Sequence, residues 1–362
     1  MTVCISPNGR TTYSEDAPAR QLMVATLDGI TVLEREGPGA DWHVARRTLE
    51  GLHISAIHLE PLRGALFAGV HGSGLYRSTD GGYTWEEKTR GMTPDHTYTI
   101  TSVNRDGAPL LWAGTEPSHL FRSADYGETW EEVPSLLGVP DTDKWTFPAP
   151  PHTGHVKNVA FDPRDKYTIY VGIEQGGLFK SVDDGKTWRE LDDYSRPDDR
   201  AYKDVHRIVI HPTNPDVMYI TSGEGLYGSA DAGETWEHLS GREARIGYPD
   251  ALVISPRNPN VMYMGGANQS PGVWRTSHEA RSTIMRSEDG GRTWDIAGEG
   301  LPDYMRANME AMSLLEWPGG LSLYAGNTDG DVFASEDEGA SWACVASGLA
   351  PVSKVGHYRA LR

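Results

Sequence analysis

One eight-residue pattern recurs six times in this chain: STDGGYTW at 78–85, SADYGETW at 123–130, SVDDGKTW at 181–188, SADAGETW at 229–236, SEDGGRTW at 287–294 and SEDEGASW at 335–342. Every copy keeps serine first, aspartate third, glycine fifth, a hydroxyl residue seventh and tryptophan eighth. This is the chemistry of a turn tied by its own side chains. Serine and aspartate accept from nearby backbone N–H groups, glycine takes positive φ, and tryptophan buries a large ring against the adjoining strands. The structural set is therefore Asp80, Asp125, Asp183, Asp231, Asp289 and Asp337 with Trp85, Trp130, Trp188, Trp236, Trp294 and Trp342. These residues fix hairpins and do not face a substrate.

The same grammar surrounds each copy. An apolar strand (HVKNVAFDP, 155–163) is followed by a second (TIYVGIE, 168–174), a third (GLFKS, 177–181), the box, and a fourth strand beginning at the tryptophan (WREL, 188–191). Alternating apolar segments of this length between turns are strands. The copies are spaced 45, 58, 48, 58 and 48 residues apart, and four strands in about 45 residues is the size of a propeller blade.

A seventh unit lies upstream. QLMVATLDGITVLEREGPGADWHV (21–44) has lost its box but keeps Gly39 and Trp42, and Trp42 precedes Trp85 by 43 residues, one repeat. This unit lacks an innermost strand, whereas SKVGHYRAL (353–361) is a spare one. Ring closure reconciles the two and removes exposed strand edges. The expected fold is all-β: a single seven-bladed β-propeller of four-stranded antiparallel blades over 21–362, closed by 353–361, with an extension at 1–20.

Bulk properties narrow the function classes. With 51 Asp+Glu against 33 Lys+Arg the formal charge is -18, which excludes a basic phosphate-binding footprint and hence a nucleic-acid partner. Cys4 and Cys344 show no CxxC or Cys/His zinc spacing. The first residues lack a leader's basic and apolar regions, and no stretch approaches 18 apolar residues, so membrane insertion is not expected and the reading is cytoplasmic.

The box is similar to the Asp-box or BNR repeat of sialidases, xyloglucan-cleaving glycoside hydrolases, sortilin-type receptors and photosystem II assembly factors. The resemblance covers about residues 21–361 and implies fold far more than activity. The sialidase pattern of an Arg-Ile-Pro motif and a carboxylate-clamping arginine set does not match, since no Arg-Ile-Pro occurs and Arg10 and Arg20 sit in polar sequence. Xyloglucan-cleaving enzymes pair two propellers, and one fits here. Sortilin-type receptors are larger and disulfide-rich. The single-propeller assembly factors match best in size.

In a four-stranded meander the boxes join strands three and four and so share one face. The long insertions, 131–154, 189–204, 237–249, 266–285 and 295–308, fall on the opposite face, where ligand contacts are usually made. Polar residues gather there near the expected channel mouth: His53, His155, His206 and His357 with Asp250 and Glu310 at inner-strand starts; His71, Glu116, Glu174 and Glu224 at strand tips; and Lys157, Arg207 and Arg359 alongside. Trp145, Phe147, Tyr194, Tyr202, Tyr248, Trp274 and Tyr304 lie in the insertions.

Three readings stand side by side. The cluster is a wet polar mouth; or a His/carboxylate site for a divalent metal, with His53, His71, His155 and His206 as ligands; or an acid–base centre acting on a small molecule or glycan. In the last, Glu174, His206, Asp250, Glu310 and Lys157 do chemistry while Trp145, Tyr248, Trp274, Arg207 and Arg359 hold the substrate. The resulting functional expectation is a small-molecule or glycan-processing propeller, a hydrolase or lyase if an enzyme. The alternative is an interaction or assembly scaffold that docks a protein through the aromatic, proline-rich insertion 131–154.

Overall fold

Each box behaves as its composition dictates. In all six copies the serine hydroxyl donates to the aspartate at 2.8 Å and accepts the glycine N–H at 2.8–2.9 Å. The second carboxylate oxygen takes the seventh residue's hydroxyl, as in Thr187 to Asp183 at 2.7 Å. These Thr187 and Thr293 contacts hold the Asp183 and Asp289 carboxyls down at about 2. The tryptophans divide: Trp130 donates to Lys88 O, Trp188 to Ser135 Oγ and Trp294 to Gly291 O, whereas the indole N–H groups of Trp85, Trp236 and Trp342 are buried without a partner among the described residues.

The computed structural model describes residues 1–354, and these form a seven-bladed propeller of mostly antiparallel four-stranded sheets. Numbered along the chain, blade one is Thr2–Ile5, Gln21–Thr26, Gly29–Glu34 and His43–Thr48. Blade two is His53–Leu59, Leu66–His71, Gly74–Ser78 and Glu86–Glu87. Blade three is His96–Arg105, Ala108–Glu116, Leu120–Ser123 and Glu131–Glu132. Blade four is His155–Phe161, Ile169–Glu174, Gly177–Ser181 and Arg189–Glu190. Blade five is Arg207–Ile210, Met218–Ser222, Gly225–Ser229 and Glu237–Gly241. Blade six is Tyr248–Ile254, Met262–Ala267, Thr283–Ser287 and Asp295–Ile296, and blade seven is Met309–Trp317, Gly320–Asn327, Val332–Ser335 and Ala343–Ala346. By contacts the chain divides into two units, Met1–Ser55 with the residues from Leu239 onward, and Ala56–His238. Among the described residues helix is confined to the insertions: short 3-10 turns at Pro134–Gly138 and Thr142–Lys144, and one α-helix at Pro271–Ser277. No helix among the described residues is long and apolar enough to cross a membrane.

Inner and second strands are buried on both faces because blades stack on each other. Glycines make the approach close. A Cβ on Gly114 would meet Val156 at 2.4 Å, one on Gly172 would meet Val205 at 2.9 Å, one on Gly265 Met309 at 2.9 Å and one on Gly326 Val352 at 3.0 Å. Within each unit, then, a second-strand glycine makes room for an apolar side chain from later in the chain: Val156 and Met309 at the start of the next inner strand, Val205 just before one, and Val352 beyond the last described strand.

Val352 extends this pattern to the C-terminus. It donates to Asn327 O, and Leu27 donates to Pro351 O, so the chain end returns to blade one, as closure requires. Residues 355–361 of the expected closing strand, with His357 and Arg359, lie outside the described residues. The N-terminus shares the task. Residues 1–20, expected to be an extension, supply Thr2–Ile5, which pairs in parallel with Gln21–Thr26, and Thr12–Ser14, which pairs in parallel with Met309–Trp317. The apolar run Val3–Ile5 is fully buried; its burial outweighs the polar residues that masked it.

Candidate functional site

Register sorts the two ends of each sheet. In blade four Ile169, opening the second strand, pairs with Phe161 and with Ser181, where the box begins, while Glu174 at its close pairs with His155. The box and the His155–Glu174 pair therefore occupy opposite ends of one blade. Clefts also run between box turns, one lined by Arg286, Asp289, Thr293 and Asp337, but those aspartates are already saturated by their own turns.

At the box-distal end the inner strands are irregular. Their pairing shifts between Thr97 and Thr99, Val156 and Asn158, Pro249 and Ala251, and Met309 and Ala311, leaving Tyr98, Lys157, Asp250 and Glu310 as the extra residues. In blade five both His206 and Arg207 lie opposite Thr221. A bulge re-aims a side chain out of the strict alternation, and here it turns ionisable groups toward one another.

Within the unit Ala56–His238 this builds a buried array. His155 Nε2 lies 3.0 Å and Lys157 Nζ 2.6 Å from the same oxygen, Glu174 Oε2. His206 Nε2 is 2.8 Å from Asp204 Oδ2 and 3.9 Å from Glu174 Oε1. Asp204 Oδ2 also accepts Gly223 N at 2.8 Å, and Asn158 Nδ2 donates to His206 O at 2.7 Å. Burial alone would raise the Asp204 carboxyl, but the adjacent His206 holds it below its ordinary value. Tyr98 stacks on His155 at 3.7 Å between ring centroids, and Phe147 closes on it at 5.0 Å. His155, Lys157, Glu174, Asp204 and His206 are all at most 4% exposed.

The array continues outward. His155 Nδ1 is 3.6 Å from Glu116 Oε2. Burial, with the Glu174 charge behind it, pushes the Glu116 carboxyl up to about 7. His71, held at about 4 by burial and by His96 and His155, packs edge-on to His96. His71 and His96 are half-buried and form the solvent-facing rim.

The other unit holds its own buried group. Lys354 Nζ pairs with Asp250 Oδ1 and stands 5.8 Å from the Tyr248 ring centroid. Asn308 Nδ2 donates to Asp250 Oδ2 at 2.8 Å and Glu310 Oε1 at 3.2 Å, while Lys354 N and Ser353 Oγ donate to Glu310 Oε2. Burial chiefly, and Asp250 in addition, raise the Glu310 carboxyl to about 7 against the lowering pull of Lys354.

The BNR/Asp-box repeat model matches residues 76–87, and the model described as sortilin, neurotensin receptor 3, matches residues 176–314. The chain is an Asp-box repeat β-propeller. Xyloglucanase Xgh74A of Acetivibrio thermocellus is 26% identical to the propeller over 140 residues, 34% of this chain and 16% of that protein. The oligoxyloglucan-reducing end-specific xyloglucanase of Emericella nidulans is 21% identical over 211 residues, 53% of this chain and 24% of that protein. The propeller thus spans no more than a quarter of these relatives' length. Among solved structures it resembles an ancestral GH74 enzyme (TM-score 0.60, 16% identity, covering 78% of this chain and 36% of that one) and YCF48 bound to D1 peptide (TM-score 0.58, 15% identity, covering 92% and 95%). At that identity the likeness is one of fold.

Of the residues singled out in the sequence, Glu174, His206, Lys157 and His155 meet in one array, Asp250 and Glu310 in the other group, and His71 joins Glu116 at the rim. Other candidates have different surroundings. His53 Nε2 donates to Ser353 O at 3.1 Å. Trp274, the buried residue of helix Pro271–Ser277, is completely enclosed and walls no open pocket. Trp145 packs on Phe179, and Arg207 is 6% exposed. Glu224 is occupied in tying down the 189–204 insertion, accepting Arg200 N at 2.8 Å. His96, Asp204, Tyr98 and Lys354 went unnoticed. His96 opens an inner strand as His155 does, a signal the sequence carried; Asp204 stands outside any strand pattern and has none.

Proposed function

We propose that the propeller binds a small polar ligand, a glycan fragment in the first instance, at the box-distal array of blades two to five and acts on it by acid–base chemistry. The observation that carries this reading is the buried set His155, Lys157, Glu174, Asp204 and His206. Burying five ionisable groups costs folding free energy that apolar packing would avoid, and such groups concentrate where chemistry needs them. A carboxylate-held imidazole, His206 on Asp204, keeps one tautomer and orientation. Glu174 with His155 forms a proton-exchanging pair, and the Lys157 ammonium stabilises negative charge developing beside it. Ligand reaches the array past His71, His96 and Glu116. The sequence relatives named as xyloglucanases favour a glycan over other small molecules.

The test is a binding screen of the full chain against xyloglucan fragments and simpler oligosaccharides, followed by reducing-end release. Binding by the wild type, with turnover lost in Glu174→Gln and His206→Asn variants that remain folded, supports the reading. Failure of every glycan to bind, or turnover unchanged by both substitutions, overturns it. Docking of a protein partner is the competing function, and a chain-length likeness to YCF48 is what favours it. Against it, the 131–154 insertion buries Val133, Leu136, Phe147 and Ala149 and leaves Leu137 as its one exposed large apolar side chain among the described residues.

A further inference from the structure

The rim of the array carries a donor set that the acid–base reading leaves unused. His71 closes the second strand of blade two, His96 opens the inner strand of blade three, and Glu116 closes the second strand of blade three as the register partner of His96. One donor atom from each lies within 4.8 Å of the other two, and the imidazoles meet edge-on with centroids 4.8 Å apart. We propose that His71, His96 and Glu116 bind one divalent transition-metal ion of the zinc class, with a coordination position left open to solvent.

Three features support the assignment. Two imidazoles and one carboxylate are a donor set suited to zinc or iron, and three protein ligands with an open fourth place is the form of a reactive site rather than a structural one. A tetrahedral ion with bonds of about 2.0–2.1 Å holds neighbouring donors about 3.3 Å apart, a contraction that rotation of two half-buried rings supplies. His96 Nδ1 is buried without a hydrogen-bond partner among the described residues.

The outer shell is present as well. His155, 3.6 Å from Glu116 and stacked beneath Tyr98, stands where a second-shell group orients a ligating carboxylate. Glu174, Asp204 and His206 also bring donors together, but the Lys157 ammonium at 2.6 Å from Glu174 already fills the place of a cation there. The rim is therefore the metal site and the deeper group its proton-handling neighbour. The assignment does not rest on the ligand being a glycan, and its test needs no substrate.

EDTA-treated full chain is titrated with Co2+ at neutral pH, reading d–d absorption, and Zn2+ is then used to displace it. Uptake of about one equivalent, weakened at least about tenfold in each of His71→Ala, His96→Ala and Glu116→Gln and retained in Asp204→Asn, is the expected result. The metal-free urea midpoint of each variant checks that it folds, and the isosteric Glu116→Gln stands in where an alanine variant does not. No uptake at millimolar Co2+, uptake indifferent to the rim substitutions, or uptake abolished by Asp204→Asn while surviving His71→Ala overturns the proposal.

Discussion

His155 and Glu174 are register partners at the box-distal end of blade four, with the imidazole Nε2 3.0 Å from the carboxylate and both side chains at most 2% exposed. The same carboxylate oxygen takes the Lys157 ammonium at 2.6 Å. A single anion thus compensates two neighbours on a bulged strand.

Removing that anion should be costly. Glu174→Gln keeps the shape but leaves Lys157 charged in a buried site, and the urea midpoint should fall by the equivalent of about 3 kcal/mol. Adding Lys157→Met removes the uncompensated charge, so the double variant should regain at least half of the loss. Additive losses in the two substitutions would show that the pair is not coupled.

Glu310 should leave a signature in stability against pH. Its folded-state pKa, about 7, lies above the ordinary 4.5, so the folded chain keeps a proton that the unfolded chain has released. The stabilisation is complete below about 4.5 and is lost as pH rises through about 7. Between those limits the wild type should lose on the order of 3 kcal/mol relative to Glu310→Gln, whose side chain does not titrate. Urea midpoints of the two proteins from pH 4 to 8 check this.

The box turns should matter for stability and not for the site. Asp183→Ala removes acceptors for the Ser181 hydroxyl and for the Thr187 N–H and hydroxyl, for an expected loss of about 1 kcal/mol. Ligand and Co2+ binding should be unchanged, because the box and His155 lie at opposite ends of the blade.

Gly172 should tolerate no side chain. A Cβ there would stand 2.9 Å from Val205 and 3.3 Å from Ile208, so Gly172→Ala should cost about 1–3 kcal/mol by overpacking. Val205→Ala opens the space, and the double variant should lose less than the sum of the singles. Thermal denaturation of the four proteins closes the cycle.

The six boxes were legible because everything they need lies within eight residues: serine, aspartate, glycine and threonine satisfy one another locally, whatever packs around them. Trp42 marked the seventh blade by spacing alone, and the structure puts it between the third and fourth strands of blade one, edge-on to Tyr324. The alternation of apolar residues likewise located the inner strands. From those strands Lys157, His206, Asp250 and Glu310 could be named as candidates before any pairing was known.

Their partners were beyond such reading. Whether Lys157 meets Glu174 depends on a bulge that shifts register by one residue, and a strand's own side chains do not announce it. Asp204 reaches His206 across two residues because the chain has not yet entered its strand, while Lys354 reaches Asp250 across 104 positions of sequence. The N-terminal strand Thr12–Ser14 pairs in parallel with Leu314–Glu316, residues that only the folding of the whole chain brings beside it. Turn chemistry is local and so is written in the sequence. The convergence of buried charges is set by strand register and by the stacking of neighbouring blades, and the tertiary structure alone decided it.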